Sequence, residues 1–288
     1  PAVQQNMTKY AVMVMEPERI RYELEKALYL AREGRPGPAW LDIPLDVQGA
    51  FIETDTLAGY VPPAAPAKTD VTEAARQVLA RLRQAERPVL YAGNGIRWAG
   101  GMELFRRLYG ALDIPVVTCW DSIDLIATDD THYCGRGGNM GDRAGNFAVQ
   151  NSDFLLCIGA RMSIYQVGWN TATWARAAYV AMVDIDPLEL SKPILRLDLP
   201  ICTDAAAFME ALLAAAEGER FTHTAWLSQC AAWKAAYPVV QARHKASQHP
   251  ANVYAFIDCL SRRLPEHALT VAANGSASVV GSQSYYIN

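Results

Sequence analysis

The chain has 288 residues, with 26 basic and 30 acidic side chains and a formal net charge of −4. A hydrophobic content of 51% indicates a large buried core and excludes a disordered polypeptide. The slight excess of acidic residues, with no basic stripe, excludes a nucleic-acid or anionic-membrane partner that is bound mainly by charge. The longest apolar runs have the length of strands, well short of the roughly 20 residues that span a bilayer.

The cysteines and histidines are scattered along the chain. No C-x-x-C pair or closely spaced set suggests a disulfide framework, so we expect a reducing, cytoplasmic setting. The five histidines show no metal-ligand spacing, and no metal site is predicted. The six cysteines are Cys119, Cys134, Cys157, Cys202, Cys230 and Cys259.

Residues 1–50 contain a helix followed by a strand. Pro17 suits the first turn of a helix, and apolar residues then recur at helical spacing as far as Gly34. Residues 39–43 predict a short buried strand that Pro44 ends. We interpret this segment as the end of an α/β layer, with its helix facing a core, followed by a proline-rich linker over residues 51–69.

Residues 70–217 predict the main domain. Asp70 and Glu73 form a start resembling a capping box, and a helix follows to about Gln84. Apolar strands are then predicted at 88–93, 114–118, 154–159, 179–186 and 199–202, with helices at 101–112 and 204–215. Continuous apolar strands that alternate with helices indicate a doubly wound, parallel α/β sheet of about six strands.

The remaining residues divide into two predicted segments. Residues 218–249 form a helical linker, with a Trp- and Ala-rich helix at about 223–245. In 250–288, Pro250 opens a helix with Val253, Phe256, Ile257 and Leu260 on one face. A strand is predicted at 268–275, and together these elements would begin a further α/β domain.

Four loops follow strands of the main domain, where parallel sheets bind ligands. The glycines of 93–95 allow close approach to a ligand or simply a tight turn, and those of 135–141 allow a phosphate cradle of N–H groups or an ordinary loop. Arg161 in 159–161 could bind phosphate, stack on a ring or be solvated. The acidic residues of 184–186, with Glu189, suit ribose hydroxyls or a helix N-cap.

No residue set for nucleophilic catalysis is visible. The sequence lacks a Gly-x-Ser-x-Gly elbow, a Walker motif and a complete Rossmann glycine fingerprint. We therefore interpret the main domain as one that holds a nucleotide and carries no catalytic residues.

Several runs, in order, resemble a known family. They are GRPGPAWLDIPLDVQ at 34–48, RPVLYAGNG at 87–95, DIPV at 113–116, NFAVQNSD at 146–153, GAR at 159–161, DID at 184–186 and the segment 251–288. The chain resembles thiamine-diphosphate enzymes of the acetolactate synthase (acetohydroxyacid synthase) large-subunit type. The resemblance implies the end of a pyrimidine-binding domain, a central FAD-binding domain and the start of a diphosphate-binding domain.

The resemblance also implies binding residues. For FAD they are Arg35, Gly93, Asn94, Gly95, Gly138, Asn139, Met140, Gly159, Ala160, Arg161, Asp184, Ile185, Glu189 and Asp204. For thiamine diphosphate they are Gly275, Ser276 and Ala277. An ADP-like nucleotide, or none, is the alternative to FAD.

The sequence departs from the family pattern at several positions. Leu45, Met140 and Tyr165 replace a lysine, a histidine and an arginine, and 276–277 is Ser-Ala where the family has Gln-His. The resemblance places the cofactor-activating glutamate before Pro1 and the Gly-Asp-Gly magnesium motif after Asn288. We therefore expect a truncated chain that is inactive by itself.

The resemblance implies the activity of the parent enzyme. This is decarboxylation of a 2-keto acid, with pyruvate favoured, and carboligation to a carbonyl acceptor, with thiamine diphosphate and Mg²⁺ in a homodimer or homotetramer. A 2-keto-acid decarboxylase without carboligation is one alternative. A separate nucleotide-binding or regulatory module without catalysis is another.

Overall fold

The computed structural model describes residues 3–64, 69–246 and 249–288. The chain divides into two compact units, residues 1–69 and 70–288. Within the described residues, no helix combines the length and the apolar character needed to cross a membrane.

The first unit is a small α/β layer. Its elements are β1 (Tyr10–Met13), α1 (Ile20–Arg32), β2 (Ala39–Asp42) and α2 (Leu45–Gln48), with 3-10 turns at Gln4–Asn6, Pro17–Arg19 and Thr54–Thr56. The two strands pair in parallel, and α1 packs against both. The predicted helix is confirmed, because Pro17 opens the turn before α1 and Gly34 follows the helix with a φ of +55°.

The prediction that β2 is buried was wrong. Trp40 in β2 is 47% exposed, and Leu24 and Leu28 of α1 are also exposed, whereas Glu23 and Ala27 of the same helix are buried. In the described residues β2 pairs only with β1, so this sheet offers α1 little surface to cover. The apolar spacing identified the helix correctly but not the face that is buried.

The second unit contains the larger sheet. Its strands are β3 (Pro88–Ala92), β4 (Val116–Thr118), β5 (Tyr133–Arg136), β6 (Phe154–Ile158), β7 (Tyr179–Asp184) and β8 (Leu199–Cys202). Its helices are α3 (Thr72–Leu82), α4 (Gly95–Trp98), α5 (Met102–Leu112), α6 (Arg143–Asn151), α7 (Ile164–Val167), α8 (Pro187–Leu190), α9 (Ala205–Ala215), α10 (Thr224–Ala236), α11 (Ala242–Ala246), α12 (Val253–Ser261) and α13 (Ser276–Ser284).

The larger sheet confirms the predicted doubly wound α/β fold. Its six strands are all parallel and follow the order β5-β4-β3-β6-β7-β8. From β3 the chain builds outward to β5, returns to place β6 on the other side of β3, and then builds outward to β8. This is the 3-2-1-4-5-6 order of dinucleotide-binding sheets, and its direction reverses between β3 and β6.

Both faces of the sheet are covered. One core includes Phe105 of α5 and Phe208 of α9, and both side chains are fully buried. The other includes Tyr91 of β3 and Trp226 of α10. The Trp226 indole N–H donates to the carbonyl oxygen of Pro88 at 3.0 Å, which fixes α10 to the beginning of β3.

Two predictions of local structure in this unit were wrong. Residues 135 and 136 belong to β5, not to a loop, because β5 is a short edge strand that pairs with β4 across an irregular register. Residues 268–273 do not form a strand, and Leu269 and Val271 are 91% and 88% exposed. A strand needs a neighbour to satisfy its backbone groups, and the described residues provide none beside this segment.

The apolar face predicted for α12 is largely exposed. Val253, Phe256 and Leu260 are exposed, whereas Asp258 and Ser261 are buried. α12 packs against α13, and its apolar residues lie mainly on the other side. Asn252 caps the helix by accepting from two backbone N–H groups.

Candidate functional site

The carboxyl ends of β3 and β6 form the centre of the candidate site. These strands are neighbours in the sheet, and the loops that follow them, 93–95 and 159–161, are in direct contact. A sheet of this strand order binds dinucleotides in the crevice at this point, where the direction of winding reverses. The structure therefore brings two of the four predicted loops together.

Glycines make this contact between the loops possible. The Gly95 N–H donates to the Gly159 carbonyl at 3.0 Å. A Cβ atom on Gly93 would lie 2.2 Å from the Gly159 carbonyl oxygen, and one on Gly95 would lie 2.7 Å from the Gly159 Cα. The glycines are therefore required for backbone packing, which agrees with the tight-turn alternative for 93–95. This packing forms the floor of the crevice.

Arg161 lies at the mouth of the crevice in a strained conformation. Its φ is +56°, and Met162 follows with a φ of +48°, a region that costs a residue other than glycine about 1–3 kcal/mol. The Arg161 Nε donates to Glu189 Oε1 at 2.8 Å, and Lys192 Nζ donates to the Arg161 carbonyl at 2.9 Å. The Arg161 side chain stays 62% exposed, so its guanidinium is oriented and still accessible to an anion.

Acidic residues follow β7 on the other side of β6. Asp184 is buried at the end of β7, and its Oδ1 accepts from the Asp186 N–H at 2.9 Å. Asp186 caps α8 through the Leu188 N–H, so the N-cap alternative is correct for that residue. Ile185 is 38% exposed between them. Asp184 lies 25 residues after Gly159, close to the spacing of about 20 between the glycine turn and the ribose-binding acid of nucleotide sheets.

Asp204 has a structural role. Its Oδ1 accepts from the N–H groups of Ala206 and Ala207 at 2.9 and 3.1 Å and caps α9.

Of the two alternatives for 135–141, a phosphate cradle or an ordinary loop, the hydrogen bonds of most of its N–H groups favour the ordinary loop. The Gly137 N–H donates to Thr118 O at 3.0 Å, and the Asn139 N–H donates to Tyr165 O at 2.7 Å. The Gly138 N–H donates to Asn146 Oδ1 at 2.8 Å, while Asn146 Nδ2 returns a bond to the Gly138 carbonyl. These donors face the protein and cannot also hold a phosphate. Contact of Gly138, Asn139 and Met140 with a flavin stays a prediction.

Close packing explains the glycines of this loop. A Cβ on Gly137 would lie 2.4 Å from the Tyr91 hydroxyl, and one on Gly138, whose φ is +95°, would lie 2.2 Å from Tyr165 O. The Tyr91 hydroxyl is buried and has no hydrogen-bond partner among the described residues. Its burial raises the pKa of the phenol well above the usual value.

A fifth loop, after β4, was not recognised from the sequence. Ser122 is fully buried and donates to Ala92 O at 3.0 Å, and the Cys119 thiol lies 3.8 Å from Ala160 O, so this loop supports the crevice. Burial raises the pKa of the Asp121 carboxyl, and nearby Arg161 partly opposes this. The sequence signal that could have identified this loop is the position of Asp121, three residues after β4.

The remaining predicted binding residues belong to other elements of the chain. Gly275, Ser276 and Ala277 are exposed at the N-terminal end of α13, where the backbone N–H groups of Ser276 and Ala277 suit a phosphate. The Gly275 N–H donates to Asn274 Oδ1 at 2.7 Å. Arg35 belongs to the first unit, where its carbonyl accepts from Lys9 Nζ at 3.1 Å.

Comparison with known proteins identifies the domain. Residues 75–212 match the model of the thiamine pyrophosphate enzyme central domain. The chain contains the central domain of the thiamine pyrophosphate enzymes. The matched residues run from α3 through α9 and include the whole six-stranded sheet and the crevice between β3 and β6.

Curated relatives that this chain matches are acetolactate synthases. The large subunit from Corynebacterium glutamicum is 30% identical over 288 residues, covering 96% of this chain and 44% of the relative. The Lactococcus lactis large subunit is 32% identical over 72% of this chain and 36% of the relative. The Escherichia coli isozyme 2 large subunit is 33% identical over 64% of this chain and 33% of the relative. The chain thus spans less than half the length of these proteins.

Proposed function

We propose that this chain is the nucleotide-binding central part of a thiamine-diphosphate-dependent carboligase of the acetolactate synthase type. In a protein that also contains the remaining parts of its relatives, the reaction would be decarboxylation of a 2-keto acid, with pyruvate favoured, and ligation to a carbonyl acceptor. The observation that carries the proposal is the crevice between β3 and β6, in a chain whose curated relatives are acetolactate synthases.

The residues at the crevice fit an adenine dinucleotide, and we propose FAD. The chemistry of the donor set supports this fit, because a cation and a carboxylate follow adjacent strands. Arg161 would neutralise the phosphates, and Asp184 would accept from ribose hydroxyls. Glu189 would keep the Arg161 guanidinium oriented through their 2.8 Å hydrogen bond.

The proposed thiamine-diphosphate contacts lie at the start of α13. The backbone N–H groups of Ser276 and Ala277 would donate to the diphosphate beside Gly275, with the positive end of the helix dipole behind them. When bound, thiamine diphosphate supplies the electron sink for decarboxylation. The 288 residues contain no Gly-Asp-Gly motif, so we propose that Mg²⁺ is held by other parts of the enzyme and that this chain alone does not catalyse the reaction.

Two further points complete the proposal. A homodimer or homotetramer is proposed from the family resemblance. A reducing, cytoplasmic setting is supported by the six free cysteines.

The first test is nucleotide binding by the chain itself. FAD is added, free flavin is removed by gel filtration, and the retained absorbance and the affinity are measured. We expect FAD binding that weakens about tenfold in Arg161→Met, the scale of one charge-assisted hydrogen bond. Arg176→Met is the matched control, because Arg176 bonds only Gln150 at 3.0 Å among the described residues.

The outcomes separate the candidate functions. FAD retention with normal affinity in Arg161→Met would contradict the role of Arg161. Binding of ADP without retention of FAD would favour a 2-keto-acid decarboxylase or a nucleotide-binding module instead of the flavin-containing carboligase. Failure of both nucleotides to bind would overturn the assignment of the crevice.

A second test addresses the reaction. The enzyme that contains this chain together with the remaining parts of its relatives is incubated with pyruvate, thiamine diphosphate and Mg²⁺. We expect an acyloin product, whereas release of free acetaldehyde alone would show a decarboxylase without carboligation.

A further inference from the structure

Arg136, the last residue of β5, connects two parts of the second unit. Its main chain holds the glycine loop that follows, because its N–H donates to Asp142 Oδ2 at 2.9 Å and its carbonyl accepts from the Asp142 N–H at 2.9 Å. These two bonds close the loop 137–141 at its base. The residue is only 5% exposed.

The Arg136 side chain extends to a distant part of the chain. Its Nη1 donates to the Gln283 carbonyl, and its Nη2 donates to the Tyr285 carbonyl at 2.6 Å. These carbonyls lie in the last turn of α13 and just beyond it, where helix carbonyls lack partners within the helix. A guanidinium at that place satisfies them and complements the negative end of the helix dipole.

The hydrogen bonds to the end of α13 are the main interactions of the Arg136 side chain. Within the described chain, no carboxylate oxygen forms an ion pair with the Arg136 guanidinium, whereas nearby Arg262 and Lys245 both pair with Asp258. A buried cation that forms no ion pair relies largely on carbonyl acceptors and dipoles for its stabilisation, and here the Asp142 carboxyl adds a longer-range attraction. The C-terminal end of α13 supplies both.

Other bonds hold the residues around the end of α13. Tyr254 donates through its hydroxyl to Gln283 Oε1 at 2.8 Å, and the Tyr286 N–H donates to Ser261 Oγ at 3.0 Å. These partners lie in and at the end of α12, which itself packs on α13. Arg136 is different because it ties the helix to the sheet.

We propose that Arg136 is a positioning residue for the diphosphate site at the other end of α13. This inference rests on the proposed function, which places the diphosphate at Gly275, Ser276 and Ala277. At 1.5 Å per residue, the nine residues of α13 form a rod about 13 Å long. Arg136 fixes the C-terminal end of this rod to the sheet and thereby sets the direction of the N–H groups at its N-terminal end.

The first experiment measures backbone hydrogen exchange and needs no cofactor. In Arg136→Met we expect the amides of α13 to exchange roughly ten- to a hundredfold faster, the scale of one or two lost charge-assisted hydrogen bonds. Arg136→Lys keeps the charge and should recover part of this protection. The amides of β3 and β6 should not change.

The matched control is Arg143→Met. Arg143 is exposed and lies over the Tyr237 ring at 5.5 Å in the same region, so its loss should leave the exchange of α13 unchanged. Equal exchange of α13 in wild type and Arg136→Met would overturn the inference. A uniform rise across the sheet would do the same, because it would show a general loss of stability.

The second experiment measures binding in the same variants. It uses the enzyme that contains this chain together with the remaining parts of its relatives. Thiamine diphosphate with Mg²⁺ should bind about tenfold more weakly to Arg136→Met, the scale of one charge-assisted contact, and Arg136→Lys should lie between this variant and wild type. ADP affinity should stay within about twofold of wild type, because the main-chain bonds of Arg136 are unchanged.

Unchanged thiamine-diphosphate affinity in a variant with faster exchange of α13 would overturn the positioning role. Failure of the wild-type enzyme, with the remaining parts of its relatives present, to bind thiamine diphosphate would count against the proposed function and remove the diphosphate role with it. The exchange experiment would still decide whether Arg136 fixes α13.

Discussion

The interior of the six-stranded sheet and the outer segments of the chain use similar residues in opposite ways. Phe208 of α9 is fully buried, whereas Phe256 of α12 is 59% exposed. Both residues lie in helices with apolar faces. The difference arises because α9 packs against α3 and α5, whereas the Phe256 side of α12 is not covered among the described residues. An apolar helical face thus becomes core only where another layer covers it.

Truncating these two phenylalanines should give the largest contrast. We expect Phe208→Ala to lower the free energy of unfolding by about 3–5 kcal/mol, because it leaves a cavity in a close-packed core. Phe256→Ala should change it by about 0.5 kcal/mol or less. Urea unfolding followed by circular dichroism measures both, and similar losses in the two variants would show that the Phe256 face is covered.

Two glycine substitutions should give the next largest difference in stability. Gly93→Ala would place a Cβ 2.2 Å from the Gly159 carbonyl, where both partners are backbone, and should cost about 3 kcal/mol. Gly110→Ala, in α5 with no atom within 4 Å of the new Cβ, should stabilise the chain by up to about 1 kcal/mol. Thermal unfolding of both variants checks this, and a neutral Gly93→Ala would contradict the close contact of the two loops.

The smallest effects concern two aspartates at helix starts. Burial raises the pKa of Asp142, whereas the backbone N–H of Thr72 lowers the pKa of exposed Asp70. The shifted pKa of Asp142 contributes stability that is complete below its unfolded pKa and is lost as pH rises through the folded value. The contribution of Asp70 is present above its unfolded pKa and is lost as pH falls through the folded value.

Urea midpoints between pH 3 and 7 test this for Asp142→Asn and Asp70→Asn. The advantage of wild type over Asp142→Asn should grow as pH falls, by about 1 kcal/mol at most, the scale of a helix cap. The advantage over Asp70→Asn should shrink over the same range. Parallel pH profiles for the two variants would contradict the opposite pKa shifts.

The fold could be predicted where a pattern is local. The continuous apolar runs of β3 and β6 predicted buried parallel strands, and every residue of both strands is buried. β5 could not be recognised because it is short, contains Gly135 and Arg136, and depends on pairing with β4. The exposure of Leu24 depends on which layers are present, and the helical spacing of a sequence does not contain that information.

The site could be predicted in position but not in the direction of its hydrogen bonds. The candidate loops were placed after strands of the main domain, and those after β3 and β6 are in contact. A phosphate cradle was one of two alternatives for the N–H groups of 137–139, but they donate to acceptors such as Thr118 and Tyr165 that come together only in the folded sheet. The contact between Arg136 and Gln283 joins residues 147 positions apart, and no local sequence pattern predicts it.

The bond between Trp226 and Pro88 gives the protein an optical reporter. Trp226 is 5% exposed, whereas Trp98 and Trp169 are 69% and 84% exposed, so the first should emit at shorter wavelength than the other two. Its indole crosses from α10 to the beginning of β3, which connects residues 138 positions apart. A red shift of the Trp226 emission would therefore show when α10 separates from the sheet during unfolding. Circular dichroism would record the loss of the strands separately.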